Sequence, residues 1–346
     1  MITKAYAVIE ANTPLVPYSF VRRELRPHDV ALRIIYSGIC HSDIHQAREE
    51  WGKAIFPMVP GHEIYGKVTD IGNEVVKFKV GDRIGVGVFI DSCKKCSACK
   101  NGLENYCEEG LTNTYNSIER DGKTVALGGY SNSFVVDESY AVRIPINLKP
   151  EGIAPLLCAG ITVYSPLKHW KASHGKKIGV IGFGGLGHLA VKIAYALGCE
   201  VTVFSHSADK EEDAKAMGAH AFIDSLSVEF HEQNMDRFDL ILNTVSADID
   251  LNQYLRLLNL DGTLVMIGLS GKAYPIEAWS LINPRRTIGG SMIGGISELQ
   301  EMIDFCALND IVAEVEVIDA KDINTAYERT IKSDVKYRFV IDALTF

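Results

Sequence analysis

Two textures of apolar and polar positions divide the chain. In the first, short apolar runs alternate with polar positions and are broken by Gly, Pro and Asp: Lys4–Ile9, Val30–Ser37, His62–Ile71, Arg83–Phe89 and Phe134–Val136. Alternation with frequent glycine predicts an irregular, largely antiparallel β region. After Pro150 the pattern changes. Strands are predicted over Ile178–Ile181, Glu200–Phe204, Phe222–Asp224, Asp239–Asn243 and Thr263–Gly268. Helices are predicted between them, over Leu186–Leu197, Ala208–Met217 and Leu251–Leu258. Apolar β runs alternating with helical patterns imply βαβ units around a parallel sheet. A helix near Glu298–Leu308 sets Leu299, Met302, Ile303 and Cys306 on one face, and an apolar strand, Arg338–Ala343, closes the chain. The expected α/β architecture is a β-rich region over 1–149, a doubly wound parallel-sheet domain over 150–288, and a return to the first region over 289–346.

Composition narrows the class. The chain has 346 residues, 47% hydrophobic and 23% charged, which sets aside disordered, collagen-like and coiled-coil readings and is enough for two domains. Net charge is −9 with Lys and Arg scattered, so there is no basic stripe for a nucleic-acid partner. The opening residues lack a basic segment followed by an apolar core, and no apolar run approaches the roughly 18 residues of a membrane span. A cytoplasmic protein with no membrane partner is expected. In that compartment eight cysteines point to metal or catalysis before disulfides.

The apolar run Ile178–Ile181 leads directly into Gly182-Phe183-Gly184-Gly185-Leu186-Gly187 and then a helix. Gly182 permits the tight turn, Gly184 lets the backbone approach a pyrophosphate, and Gly187 lets helix and strand pack closely. With Gly185 and Leu186 these residues form a dinucleotide loop at a helix N-terminus, where unpaired N–H groups face the phosphates. A protein selective for NAD usually ends the second strand with Asp or Glu. Here Ser205-His206-Ser207-Ala208-Asp209-Lys210 stands instead. The two hydroxyls and the ammonium of Ser205, Ser207 and Lys210 suit a 2′-phosphate, so NADP(H) is the expected cofactor. The plainer reading of Ser207 is a helix cap.

Cys93, Cys96, Cys99 and Cys107 follow the spacing C-x2-C-x2-C-x7-C in a Lys-, Asn- and Gly-rich loop. Four thiolates on tight turns suit a closed, structural zinc site. An iron–sulfur cluster and disulfides are the alternatives. A second constellation is scattered: Cys40 and His45 in Gly38–His45, His62 and Glu63 in Gly61–Gly66, and Cys158 in Cys158-Ala159-Gly160. Two thiolates, an imidazole and a free fourth position form an open zinc site, the donor set that alcohol dehydrogenases are known to use.

The run Gly61-His62-Glu63-x-x-Gly66 with Gly72 and Val75, then the four-cysteine lobe, Cys158 and the glycine loop, resembles the zinc-containing alcohol dehydrogenase family in content and order. Within it, Ser205/Ser207/Lys210, Gly160–Leu167 and Gly290–Gly294 look most similar to the cinnamyl alcohol dehydrogenase subgroup. The resemblance implies a β-rich GroES-like catalytic domain, a Rossmann-type NADP-binding domain, and two zinc ions per chain. Cys40, His62 and Cys158 would hold the catalytic zinc, with Glu63 as an exchangeable ligand. Cys93, Cys96, Cys99 and Cys107 would hold the structural one. Asp43 would accept from the far nitrogen of His62. Ser42 and His45 would carry the proton, with Glu50 extending the relay, and Thr162 would touch the nicotinamide. Trp51, Met292 and Ile293 would line the substrate pocket.

The implied reaction is hydride transfer between nicotinamide C4 and a primary alcohol or aldehyde, aromatic aldehydes included, in a homodimer. A polyol dehydrogenase and a non-catalytic NADPH-binding zinc redox sensor are the rivals. Cys199 and Cys306 read as packing residues.

Overall fold

The computed structural model describes residues 2–225 and 234–346. It separates into two units, Met1–Ile161 with Gly294–Phe346, and Thr162–Ile293. The breaks fall later than the change of sequence texture at Pro150 and later than residue 289. After Pro150 come two 3-10 turns, Pro150–Gly152 and Ala154–Leu157, rather than a new domain. Leu156 and Leu157 are fully buried, and Leu157 packs so closely over Gly85 that a Cβ there would lie 2.6 Å from it. Burial of these apolar side chains holds the segment to the first unit.

The first unit is built on a seven-stranded sheet. Its path runs Ala141–Arg143, Arg83–Val86, Ile64–Ile71, Asp29–Gly38, Arg338–Asp342 and Val315–Asp319, and Ser133–Asp137 also pairs with Asp29–Gly38. All pairings are antiparallel except that of the last two strands. The central strand Asp29–Gly38 alternates Leu32 and Ile34 into the core, as its sequence period requires. One core, made of Val8, Ile39, Ile44, Tyr130, Ile323, Tyr327 and Phe339 among others, joins the beginning of the chain to its returning end.

The second unit carries six parallel strands in the order Ala221–Asp224, Glu200–Ser205, Lys177–Ile181, Phe238–Asn243, Leu258–Met266 and Thr287–Gly290. That is the doubly wound 3-2-1-4-5-6 order of dinucleotide-binding domains. The central strands are buried along their length, which explains their unbroken apolar runs. The predicted helix over Ala208–Met217 divides into a 3-10 turn, Ala208–Lys210, and a helix, Glu211–Ala216. No helix among the described residues is long and apolar enough to cross a membrane.

Candidate active site

Three distant segments of the first unit meet at one buried point. Cys40 is the N-cap of the helix His41–Ala47. His62 and Glu63 lie just before the strand Ile64–Ile71, so the strand predicted from His62 starts two residues later. Cys158 ends the turn Ala154–Leu157. One ligand atom from each of Cys40, His62, Glu63 and Cys158 lies within 4.8 Å of the others. His62 Nε2 is 3.2 Å from Cys158 Sγ.

The opposite nitrogen of His62, Nδ1, is 3.0 Å from Asp43 Oδ1, and Asp43 is fully buried. The carboxylate fixes which nitrogen carries the proton and leaves Nε2 for a metal. Arg338 donates to Glu63 Oε1 and, at 2.8 Å, to the carbonyl of Ile39. Glu63 Oε2 is buried and accepts no hydrogen bond. A buried carboxylate oxygen without a donor is costly, and a cation is the partner that would offset it.

The charges are set by burial and by one another. The Cys40 thiol is held well below its usual value by the hydrogen bond from Cys158, against its burial, with His62 helping. The same bond and burial push Cys158 well above its own. Burial works against a charge on His62, and the Asp43 carboxylate outweighs it, raising the imidazole well above its ordinary range. Burial pushes Glu63 up to about 7, opposed by Arg338.

Beside this centre, Ser42 Oγ lies 3.6 Å from Cys40 Sγ. His45 Nδ1 bonds the Glu50 carboxylate, and its ring stacks on Trp51 with centroids 4.8 Å apart. Trp51 is 48% exposed. The helix His41–Ala47 and the loop after it thus hold Ser42 and Asp43 against the ligands and bring His45, Glu50 and Trp51 against one another.

The four-cysteine lobe is a second cluster, with its sulfurs also within 4.8 Å of one another. Main-chain N–H groups point at the sulfurs: Cys93 N to Cys107 Sγ at 3.3 Å, Cys96 N to Cys93 Sγ at 3.3 Å, and Cys99 N to Cys96 Sγ at 3.5 Å. All eight cysteines are free thiols, so the disulfide alternative is not realised. Cys199 and Cys306 are buried in packing positions.

In the second unit the glycine loop links the strand Lys177–Ile181 to the helix Gly187–Ala196. Gly182 has φ +89°, a backbone region that strains other residues. A Cβ on Gly187 would lie 2.1 Å from the carbonyl oxygen of Gly182, whereas one on Gly184 would meet nothing within 4 Å. Gly184 and its neighbours Gly185 and Leu186 therefore edge an open cradle at a helix N-terminus, which fits a pyrophosphate. Ser205 ends the second strand of the fold, Ser207 N donates to Ser205 Oγ at 3.2 Å, and Lys210 Nζ reaches back to the carbonyl of Phe183 at 3.5 Å. That bond draws the ammonium to the loop. Thr162 opens the unit and is buried; Met292, 47% exposed, and Ile293, with φ +42°, end it.

Sequence reasoning missed Arg338, Tyr130 and Tyr115. Arg338 reads as the first residue of an apolar strand, and its signal is a charge on a strand that is otherwise buried. Tyr115 stacks beside His62 with ring centroids 5.9 Å apart, and Tyr130 donates to Asp43.

Comparison with known proteins agrees with this geometry. Residues 26–146 match the alcohol dehydrogenase GroES-like domain, and residues 185–308 match the zinc-binding dehydrogenase family. The NADP-dependent alcohol dehydrogenase C 1 of Mycolicibacterium smegmatis is 55% identical over 98% of this chain and 97% of its own length. The aldehyde reductase YahK of Escherichia coli is 49% identical over 100% and 99%. A cinnamyl alcohol dehydrogenase structure from Sorghum bicolor superimposes with a TM-score of 0.96 at 41% identity, covering 99% of this chain and 98% of that one. The chain belongs to the zinc-dependent alcohol dehydrogenase family. It is an oxidoreductase with the GroES-like and nucleotide-binding domains of that family.

Proposed function

We propose that this chain is an NADP(H)-dependent alcohol dehydrogenase and aldehyde reductase that interconverts primary alcohols and aldehydes, cinnamyl and other aromatic aldehydes included. The observation that carries this reading is the convergence of Cys40, His62, Glu63 and Cys158 within 4.8 Å, beside Ser42 and the His45–Glu50 pair. Cys40, His62 and Cys158, with Glu63 as an exchangeable fourth donor, fit a catalytic zinc, and the four-cysteine lobe fits a structural one. The chemistry these groups supply when bound is Lewis-acid polarisation of a substrate oxygen by the metal and hydride exchange by the dinucleotide.

The chain's own residues do the rest. Asp43 holds His62 in one tautomer. Arg338 keeps the Glu63 carboxylate drawn aside through Oε1 while Oε2 remains available. Ser42 Oγ exchanges the proton of the substrate oxygen, and His45 passes it from Nδ1 to the half-exposed Glu50 carboxylate, so charge does not build up in the site. Gly182–Gly187 bind the pyrophosphate. Ser205, Ser207 and Lys210 bind the 2′-phosphate, where an acidic residue would repel it. In the second unit Thr162 positions the nicotinamide, and in the first Trp51 bounds the substrate. The strand Thr287–Gly290 ends the sheet path, and in the homodimer we infer, it pairs with its counterpart in a second chain. We place the chain in the cytoplasm, where clustered cysteines stay reduced and available to a metal.

The test is the initial rate of NADPH oxidation with cinnamaldehyde, beside NADH and a Ser205→Asp variant. NADPH should be preferred by on the order of tenfold or more, and the variant should lose that preference through charge repulsion. A Ser205→Asp protein that keeps its preference for NADPH would remove Ser205 from the assignment. Absence of turnover with aromatic, aliphatic and sugar-derived aldehydes would overturn the reading.

A further inference from the structure

Asp43 is joined to more of the fold than its histidine. Its fully buried carboxylate accepts four hydrogen bonds: at Oδ1 from His62 Nδ1 at 3.0 Å and Gly61 N at 3.2 Å, and at Oδ2 from Cys40 N at 2.9 Å and the Tyr130 hydroxyl at 3.0 Å. Three of these donors sit on ligands or next to one. The fourth comes from a loop that carries no ligand.

That loop is fastened on both sides. Gly128 N, Gly129 N and Tyr130 N donate to the carbonyls of Val59, Gly61 and Pro60 at 2.7, 2.8 and 2.9 Å, which locks the loop to the segment bearing His62. Gly61 itself has φ +101°, and a Cβ there would lie 2.6 Å from the Tyr130 ring. On the other side the Arg22 guanidinium donates to the carbonyls of Leu127, Gly128 and Ser133 and to Ser131 Oγ. Tyr327, from the returning helix Ile323–Ile331, donates to the Tyr130 hydroxyl at 3.4 Å.

We propose that Tyr130 is a positioning residue for the catalytic metal: its hydroxyl fixes the Asp43 carboxylate and, through it, the orientation of His62. This rests on the reading that Cys40, His62 and Cys158 hold zinc. A carboxylate held by four donors has one geometry. Without the Tyr130 hydroxyl, Oδ2 loses the one donor that comes from the locked loop, and the carboxylate can rotate away from the bond that aims the imidazole. Outer partners of a metal-bound histidine commonly alter metal affinity by about 10–100-fold, and Tyr130 acts one bond further out. Tyr130→Phe tests this without opening a cavity, since it keeps the ring.

The experiment follows zinc per chain over time in the purified holoenzyme exposed to a chelator. It compares the unaltered protein, Tyr130→Phe and Tyr327→Phe. The unaltered protein should hold two zinc ions; if it holds only the ion of the four-cysteine lobe, the reading beneath this proposal falls, before any variant is considered. Tyr130→Phe should release one of its two ions on the order of tenfold faster and the other at the unaltered rate. Tyr327→Phe, which leaves the bond to Asp43 in place, should match the unaltered protein within about twofold. Unchanged release from Tyr130→Phe, faster loss of both ions together, or an equal effect from Tyr327→Phe would each overturn the proposal, since the last two mark a packing effect.

Discussion

The two sulfur-rich clusters are held in place by opposite means. In the lobe the four ligands lie within one short stretch, and main-chain N–H groups of that stretch satisfy the sulfurs. It is a partly exposed structure built on its own turns. The buried site draws its ligands from three segments that only the seven-stranded sheet brings together, and its outer partners are side chains: Asp43, Arg338 and Tyr130. Burying thiolate, imidazole and carboxylate in one place is expensive unless every charge is paired, so this site depends on the completed fold. A local cluster can stabilise a region. A non-local one, with a free fourth position, can do chemistry.

The sharpest way to test that division is to damage the buried site alone. Cys40→Ser should lower aldehyde reduction by about a thousandfold or more, since Lewis-acid assistance of several kcal/mol is lost. Zinc should fall from two ions per chain to one, the ion of the four-cysteine lobe being retained. Loss of both ions would mean that the clusters are not independent.

Protons offer the next largest contrast. In the metal-free buried site Cys40 is held well below its usual value by Cys158, while His62 and Cys158 are both raised well above theirs and hold their protons more firmly than free groups do. Zinc uptake there must displace protons, so apparent affinity should fall as the pH is lowered. The sign follows from the raised values, because a group that holds its proton more firmly competes with the metal to higher pH. In the lobe the two directions occur side by side: the N–H of Cys99 pulls Cys96 down to about 6, while burial pushes Cys99 up to about 11, so metal uptake there displaces a proton from Cys99 but little from Cys96. Titrating metal-free protein with zinc in buffers of different ionisation enthalpy counts the protons. Zinc uptake at the buried site without proton release would contradict the raised values of His62 and Cys158.

How much of this was legible in the sequence follows the same line. Gly182–Gly187 and the four cysteines could be read because each works within a few residues of itself, where spacing and turn chemistry are visible. The ligands Cys40, His62 and Cys158 could be named by resemblance, while their convergence depends on strand pairing. Arg338 and Glu63, separated by 275 residues, could not be connected by any local pattern. The change of texture at Pro150 marks where strands stop, whereas Leu156 and Leu157 show where burial continues. Short elements such as Val16–Val21, Thr287–Gly290 and Val315–Asp319 leave no distinct pattern in the sequence, since their stability comes from packing rather than from length.

The smallest expected effect on catalysis comes from the other cluster, and it is the reverse of the first. Cys99 sits at the centre of the lobe, its sulfur 3.2 Å from Ser92 Oγ and 3.8 Å from Cys93 Sγ, and burial pushes its thiol up to about 11. Cys99→Ala leaves three donors for a metal that needs four in a closed site, so the lobe's ion should be lost or held weakly. Closed coordination has no position for a substrate, and the protein that remains folded should keep its turnover within about twofold. Stability should bear the loss. Structural zinc contributes folding energy directly, and a deficit of about 3 kcal/mol or more should lower the melting temperature by about 10 °C in a unit of this size. Calorimetry and zinc analysis on one preparation decide it: a fall in turnover with unchanged melting would place the lobe in the catalytic machinery and end the contrast between the two clusters.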